Sequence, residues 1–120
     1  MRARWKEFFA ISLAMLKLDL PADWLRIVQA LAAEYVPEAE VWAYGSRVNG
    51  SSHPGSDLDL VLRHPAGLRI PSRQRYDLTS ALAESSLPIL VEAHDWATLP
   101  ESFHRQIERE HVVLQPGNCE

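Results

Sequence analysis

The amino-acid sequence predicts an α/β domain in which three or four strands form a sheet covered by helices. Three observations lead to this prediction. Short apolar runs alternate along the chain with segments whose apolar residues recur at helical spacing. The chain has 120 residues, which is enough for one domain with a single core. Its composition, 47% hydrophobic and 23% charged, is typical of a globular protein.

Residues 1–19 have a basic start and a short apolar run that ends before Lys17. A secretory signal has this order of features, but no A-x-A-like cleavage site follows and Asp19 interrupts the pattern. The run is also shorter than the ~20 apolar residues that cross a bilayer. We therefore expect an N-terminal helical extension over 1–19, the domain over 20–115 and a mobile tail over 116–120.

The first half of the domain predicts one helix and two strands. Residues 21–35 carry an apolar stripe at helical spacing, and Pro21 suits the first helical turn. Apolar runs predict strands over residues 40–45 and 57–63, joined by a loop over 46–56 that is rich in glycine and serine. The helical stripe consists of Trp24, Ile27, Val28, Leu31 and Tyr35.

The second half predicts two more helices and two more strands. A helix is expected over 71–86, a third strand over 88–96 and a short last strand over 111–115. The inward face of the first of these helices carries Leu78 and Leu82.

A last helix is predicted between the third and fourth strands. Thr98-x-x-Glu101 has the pattern of a capping box, and the helix it opens extends to about residue 110. The face expected to pack on the domain carries Leu99, Phe103 and Ile107.

The segment around the start of the second strand carries the candidate chemistry. Asp57 and Asp59 alternate with leucines, so both carboxylates lie on one face of the strand. Neighbouring carboxylates repel each other, and a bound divalent cation removes that repulsion. Mg²⁺ suits the pair because it binds one or two carboxylates together with water and phosphate oxygens.

The Gly45–Ser46 turn at the end of the first strand supplies a complementary group of donors. Its backbone N–H groups and the Ser46 hydroxyl can hold phosphate oxygens. Arg47 is a candidate for a phosphate contact, with a solvated or carboxylate-paired arginine as the alternative, and Ser56 is a further nucleotide-binding candidate. His53 is expected to be incidental, because Mg²⁺ prefers oxygen. The pattern predicts a site for a metal-bound nucleoside triphosphate.

The spacing of these motifs carries a resemblance. Gly45–Ser46, ten intervening residues and Asp57-x-Asp59 resemble the signature of the polymerase-beta-like nucleotidyltransferases, and the stretch is most similar to their small stand-alone members, the minimal nucleotidyltransferase (MNT) domains. The resemblance implies the nucleotidyltransferase fold with a mixed sheet. It also implies transfer of a nucleoside monophosphate, expected to be AMP from ATP, onto an acceptor hydroxyl. Two Mg²⁺ ions, or Mn²⁺ in their place, would be held by Asp57 and Asp59.

Glu92 stands where the family places a third metal-binding carboxylate, which is usually an aspartate. The extra methylene moves the carboxylate by more than ~1 Å, a displacement large enough to affect catalysis. Two interpretations therefore stay open. One is a metal-dependent enzyme in which Asp57, Asp59 and Glu92 are catalytic. The other is a nucleotide-binding module that inhibits or scaffolds a helical partner without turnover.

The expected partners follow from charge and from the resemblance. The net charge of −4 argues against direct nucleic-acid binding, and no membrane contact is expected. The single cysteine, Cys119, fits a reducing cytoplasm. Stand-alone MNT proteins are commonly paired with a separate helical HEPN-type ribonuclease, for which they act as antitoxins. A homo-oligomer remains an open alternative to the monomer.

Overall fold

The computed structural model describes residues 17–117, so most of the predicted extension over 1–19 and the end of the predicted tail over 116–120 lie outside the described residues. No helix in the described part is long and apolar enough to cross a membrane. The elements, in chain order, are α1 (Ala22–Tyr35), β1 (Glu40–Tyr44), α2 (Ser46–Asn49), β2 (Leu58–Arg63), α3 (Ser72–Glu84), β3 (Val91–Asp95), a 3₁₀ turn (Trp96–Thr98), α4 (Glu101–Arg109) and β4 (Val112–Gln115).

The strands form one mixed sheet in the order β3-β2-β1-β4. β1 is antiparallel to both β2 and β4, whereas β2 and β3 are parallel. A parallel pair needs a long crossover, and α3 provides it between β2 and β3. The mixed sheet covered by helices is therefore confirmed, with four strands.

The main core lies on one face of the sheet, beneath α1 and α3. Alternate residues of β2, Leu58, Leu60 and Leu62, are fully buried on this face. Val28 of α1 and Leu78 of α3 are each 1% exposed and belong to the same cluster. The helical stripe predicted for α1 is only partly correct, because the fully buried positions of that helix are Val28 and Ala32.

The opposite face of the sheet packs on α4. Trp42, Val61 and Ile107 form a second, smaller cluster there. The His104 ring of α4 stacks on Trp96 at a centroid distance of 3.9 Å, and its Nε2 lies 2.7 Å from the Trp96 carbonyl oxygen. The Trp42 and Trp96 rings meet edge to face at 5.5 Å. These contacts hold α4 against the sheet.

Two boundaries differ from the prediction. The segment after Gly45, predicted as loop, begins with the helical turn α2. The third strand begins at Val91 rather than at residue 88, and Leu90 is 55% exposed. The apolar run of residues 89–91 indicates a strand buried on both faces, but β3 lies at the edge of the sheet and leaves part of the run uncovered.

The predicted capping box is wrong. The Thr98 hydroxyl donates to the Asp95 carbonyl oxygen at 2.9 Å, so it closes the 3₁₀ turn instead of capping α4. The N-cap of α4 is Pro100, which has no side chain able to accept a hydrogen bond. Because α4 starts later and contacts the sheet through Ile107, Phe103 is 49% exposed rather than buried.

The core assignments can be tested with a matched pair of leucines. Leu78→Ala is expected to lower the free energy of unfolding by ~2–5 kcal/mol, because it leaves a cavity in the main core. Leu90→Ala should change it by less than ~0.5 kcal/mol, because Leu90 is already largely solvated. Urea denaturation of both variants measures the difference. A cost for Leu90→Ala as large as that for Leu78→Ala would contradict the edge position.

Candidate active site

The registers of the sheet bring the side chains of Tyr44, Asp59 and Glu92 into one row. Asp59 of β2 is the partner of Tyr44 in the antiparallel pair and of Glu92 in the parallel pair. Residues directly opposite each other in a sheet point to the same face. Asp59 therefore lies between a phenol and a carboxylate, on the face that also carries α4.

Gly45 lies directly against the Asp59 carboxylate. A Cβ added at this glycine would be 2.7 Å from Oδ2 of Asp59, and the glycine has φ +86°. Its carbonyl accepts hydrogen bonds from the N–H groups of Val48 and Asn49, at 2.9 and 3.0 Å, which sets the first turn of α2. The predicted Gly45–Ser46 turn is thus placed beside Asp59, and only a residue without a side chain fits there.

Burial and neighbouring like charges raise the pKa values of two groups in this row, Asp59 and Tyr44. The pKa of Asp59 is raised, first by burial, then by Glu92 and Asp57, with a smaller opposing effect of His94. Burial and the charges of Asp59 and Glu92 raise the pKa of Tyr44 to about 12. The phenol therefore stays neutral at physiological pH and remains a hydrogen-bond donor. An accumulation of negative charge of this kind favours a bound cation.

The three predicted metal ligands are neighbours but do not converge. Asp57 is exposed just before β2, and the Glu92 side chain is 48% exposed. Oε1 of Glu92 lies 3.7 Å from Nε2 of His94, on the same face of β3. Within residues 17–117, no group of three histidine, cysteine or acidic side chains is arranged to hold one metal ion. Asp57 and Asp59, as a pair of hard oxygen donors, suit Mg²⁺ without requiring a third protein ligand.

The phosphate contact predicted for Arg47 does not fit the geometry. This side chain is 3% exposed, and its guanidinium donates to the carbonyl oxygens of Asp19, Pro54 and Ser56 at 2.8, 2.9 and 3.0 Å. A fourth, longer contact of 3.5 Å reaches the His53 carbonyl. Arg47 instead fixes the loop that leads into Asp57, because three of its four acceptors are carbonyls within residues 53–56 and the fourth ties this loop to Asp19.

Ser56 and Asp95 also have structural partners. The Ser56 hydroxyl accepts a hydrogen bond from the His53 backbone N–H at 2.9 Å, so it closes a turn of the same loop. Asp95 lies on the opposite face of β3 from Glu92 and is 6% exposed. Its carboxylate accepts from the Ala97 and Ile70 N–H groups, as expected of a residue that starts the following turn.

Comparison with known proteins identifies the family of this chain. The family model described as "Nucleotidyltransferase domain" matches residues 25–114. The chain is 40% identical over 99 residues to the probable protein adenylyltransferase MntA of Haemophilus influenzae, a match that covers 82% of this chain and 85% of that protein. This chain belongs to the nucleotidyltransferase family.

Solved structures share the fold at low sequence identity. A toxin–antitoxin crystal structure with AMP-PNP has a TM-score of 0.64 at 21% identity, covering 78% of this chain and 73% of the other. A Shewanella oneidensis protein gives 0.61 at 15% identity, covering 82% and 74%. The toxin–antitoxin MntA-HepT gives 0.57 at 18% identity, covering 78% and 70%. These likenesses confirm the nucleotidyltransferase fold.

Sequence reasoning did not single out Tyr44 or the contribution of α4 to the site of this nucleotidyltransferase. A cavity of about 330 Å³ lies between the Gly45 turn and α4, and Tyr44 and Phe103 are among its lining residues. Tyr44 could have been found from its place directly before Gly45. The role of α4 could not, because it depends on how the helix packs across the sheet.

A pair of glycines tests the contact between Gly45 and Asp59. Gly45 and Gly50 both have positive φ, +86° and +87°, but ψ is −152° at Gly45 and 5° at Gly50, and a Cβ at Gly50 would have no neighbour within 4 Å. Gly50→Ala therefore measures the cost of a side chain at an uncrowded left-handed position. Gly45→Ala should lower the free energy of unfolding by a further ~1–3 kcal/mol, because it overpacks the space beside Asp59 in a backbone region that only glycine readily adopts. Equal losses in urea denaturation would mean that the carboxylate is not held there.

The charge of Asp59 is expected to destabilise the free protein at neutral pH. Because its pKa is raised in the folded state, the ionised form is disfavoured by folding, and this penalty disappears as the pH falls through that pKa. Asp59→Asn should therefore raise the melting temperature at pH 7 and give a smaller gain in acid. The exposed Asp23 on α1 provides the control, since Asp23→Asn should give no gain. A lower melting temperature for Asp59→Asn at pH 7 would contradict the repulsion.

Proposed function

We propose that this nucleotidyltransferase transfers AMP from ATP to a hydroxyl group of a partner protein and releases pyrophosphate. The observation that carries the proposal is the placement of Asp59 between Tyr44 and Glu92 in the sheet and against Gly45. The named activity of the Haemophilus influenzae relative supports the choice of adenylyl transfer to protein. One structural neighbour is a toxin–antitoxin with AMP-PNP, an analogue of ATP, which supports ATP as the donor.

Asp57 and Asp59 would hold Mg²⁺, with Mn²⁺ as an alternative. They offer hard oxygen donors, and the raised pKa of Asp59 reflects negative charge that a divalent cation would neutralise. When bound, the metal would lower the pKa of the acceptor hydroxyl and stabilise charge on the α-phosphate and leaving group. If two ions bind, Glu92 would be a further carboxylate ligand.

The other residues around Asp59 have separate roles in the proposal. The Gly45 and Ser46 N–H groups and the Ser46 hydroxyl bind the triphosphate beside Asp59. The neutral phenol of Tyr44 can donate a hydrogen bond to a phosphate oxygen or to the ribose. The acceptor oxygen would form a bond to the α-phosphorus as the bond to pyrophosphate breaks, and the hydroxyl proton would pass to the Glu92 carboxylate or to water beside it. That side is open to a large substrate, since Glu92 lies on the edge strand.

The proposed acceptor is a helical HEPN-type protein, for which this chain would act as the antitoxin. Two structural neighbours are toxin–antitoxin structures in which MntA is paired with a second protein. The exposed edge of β3 would let a folded protein present a hydroxyl to the row. We place both proteins in the cytoplasm, where ATP and Mg²⁺ are available.

A second candidate is a nucleotide-binding module that inhibits its partner without transfer. The observation that favours it is that no group of three histidine, cysteine or acidic side chains in the described part of the chain is arranged to hold one metal ion. Glu92 also stands where the resemblance implies an aspartate.

The decisive measurement is the mass of the co-purified HEPN-type partner after incubation with ATP and Mg²⁺. Wild type is expected to add one AMP to the partner. Glu92→Gln should reduce transfer by ~100-fold or more while preserving ATP binding, because it removes a carboxylate that acts next to the reacting hydroxyl. Glu92→Asp restores the usual arm length and should stay active.

An exposed glutamate on α3 supplies the matched control. Glu84→Gln makes the same chemical change away from the row and should leave transfer unchanged. Transfer that persists fully in Glu92→Gln would contradict the role of this carboxylate. A complete absence of AMP on the partner, with binding between the two proteins intact, would favour the non-catalytic module.

A further inference from the structure

The outer edge of β3 has no strand beside it among residues 17–117. The Leu58 N–H donates to the Leu90 carbonyl oxygen at 2.9 Å, on the inner side of β3. In a regular parallel ladder, residues 92 and 94 then also direct their backbone groups towards β2, and residues 91, 93 and 95 direct theirs outward. Outward N–H and C=O groups of this kind are a template for a further strand.

The opposite edge of the sheet is less suited to such pairing. β4 has four residues, and its register with β1 shifts between Val41 and Trp42. Short strands and irregular pairing discourage the addition of another strand. β3 has five residues in an unbroken register with β2, and Leu90 directly before it is 55% exposed. A further strand would therefore fit better at β3.

We propose that the β3 edge pairs with the β3 edge of a second copy of this chain, antiparallel and with Ala93 opposite Ala93. Glu92 of each copy then lies opposite His94 of the other. All five residues of the strand pair, and the hydrogen-bonded positions fall on residues 91, 93 and 95, whose backbone groups are directed outward. The two copies form one continuous sheet of eight strands, four from each copy.

The side chains of this edge are complementary to themselves. Glu92 and His94 are 48% and 45% exposed on one face of β3, and Oε1 of Glu92 lies 3.7 Å from Nε2 of His94 within one copy. In the proposed pair they occupy non-hydrogen-bonded positions, where opposite residues of two strands come closest. An imidazole N–H donates to a carboxylate at this separation. Glutamate and histidine therefore alternate across the interface, and the second copy contributes His94 to the surroundings of Glu92.

Other twofold registers fit less well. With Glu92 opposite Glu92, two carboxylates would face each other, which is unfavourable. With Val91 opposite Val91, Glu92 would lie opposite the apolar Leu90, and the pairing would extend beyond the start of the strand. The register centred on Ala93 instead places the exposed Leu90 of each copy beside the 3₁₀ turn of the other, which begins at Trp96.

Pairing of this kind would cover the Glu92 side of the site. In the proposed function the acceptor approaches at the same edge, so a second copy and the acceptor would exclude each other. This consequence rests on the proposed function, whereas the pairing itself does not. The interface is confined largely to one short strand, so we expect a weak dimer that an acceptor can displace.

Sedimentation equilibrium of the full chain measures the pairing. Wild type is expected to change from monomer to dimer between micromolar and millimolar concentration, and amide exchange at Val91 and Ala93 should slow as the dimer forms. Ala93→Pro should keep the chain monomeric, because it removes an outward N–H of an edge strand and no hydrogen bond to β2. A wild type that stays monomeric at millimolar concentration, or slowed exchange confined to residues 112–115, would overturn the inference.

Charge variants test the register without relying on the proline. His94→Glu places carboxylates opposite each other and should weaken self-association by about tenfold or more. Glu92→Lys removes the carboxylate and should also weaken it. An equal mixture of the two variants should associate again, because each carboxylate then faces a basic side chain of the other variant. A mixture that associates no better than either variant alone would contradict the register.

An exposed glutamate on α3 supplies the matched control for the change of charge. Glu84→Lys makes the same substitution as Glu92→Lys away from the β3 edge and should leave the monomer–dimer equilibrium unchanged. A loss of association in Glu84→Lys equal to that in Glu92→Lys would mean that net charge, and not the β3 edge, controls the dimer.

Transfer of AMP to the partner separates this inference from the proposed function. The rate per wild-type chain should fall as the dimer forms, and that fall should be absent in Ala93→Pro. A rate that is independent of dimer formation would overturn the exclusion of the acceptor. Absence of the dimer together with AMP transfer would overturn the pairing alone. A dimer confirmed by the charge variants, together with no AMP on any partner, would overturn the transferase alone.

Discussion

The position of the Asp59 carboxylate is the constraint on which the rest of the site depends. It is set by two strand registers at once, one with β1 and one with β3, and by the absence of a side chain at Gly45. A slip of one residue in either register would move Asp59 to the core face and bring a leucine to the site. The buried leucines of β2 therefore protect the functional face, because any slip would expose them.

Repulsion among Asp57, Asp59 and Glu92 lowers the stability of the free protein. Hydrogen bonds elsewhere in the domain fix the loops around these residues. Arg47 orders the loop before Asp57 through partly buried hydrogen bonds to backbone carbonyls. Gln115 has a similar role on the other side of the domain, where its Nε2 donates to the Val36 and Ala39 carbonyl oxygens. Both side chains use their polar atoms to fix loops rather than to bind ligands, which leaves Asp59 in a rigid frame.

The two faces of the sheet have different tasks. The face beneath α1 and α3 is apolar and supplies most of the core. The other face combines aromatic packing with the functional row, so α4 is both a cover for Trp42 and a wall of the cavity. Under the proposed function, a nucleotide would bind on this second face and a macromolecular acceptor would approach at the open edge of β3.

The sequence by itself determined the order of the strands along the chain, the apolar face of β2 and the Gly45–Ser46 and Asp57–Asp59 motifs, because each depends on local spacing. Other features were decided by tertiary contacts. The Arg47 guanidinium found its acceptors in Asp19 and in its own loop, and Phe103 was left exposed by the packing of Ile107. Tyr44 joined the site through the β1–β2 register. Periodicity in the sequence indicates which face of a helix or strand is apolar, but not which element packs against that face. The partners of these side chains therefore became visible only when the sheet and α4 were assembled.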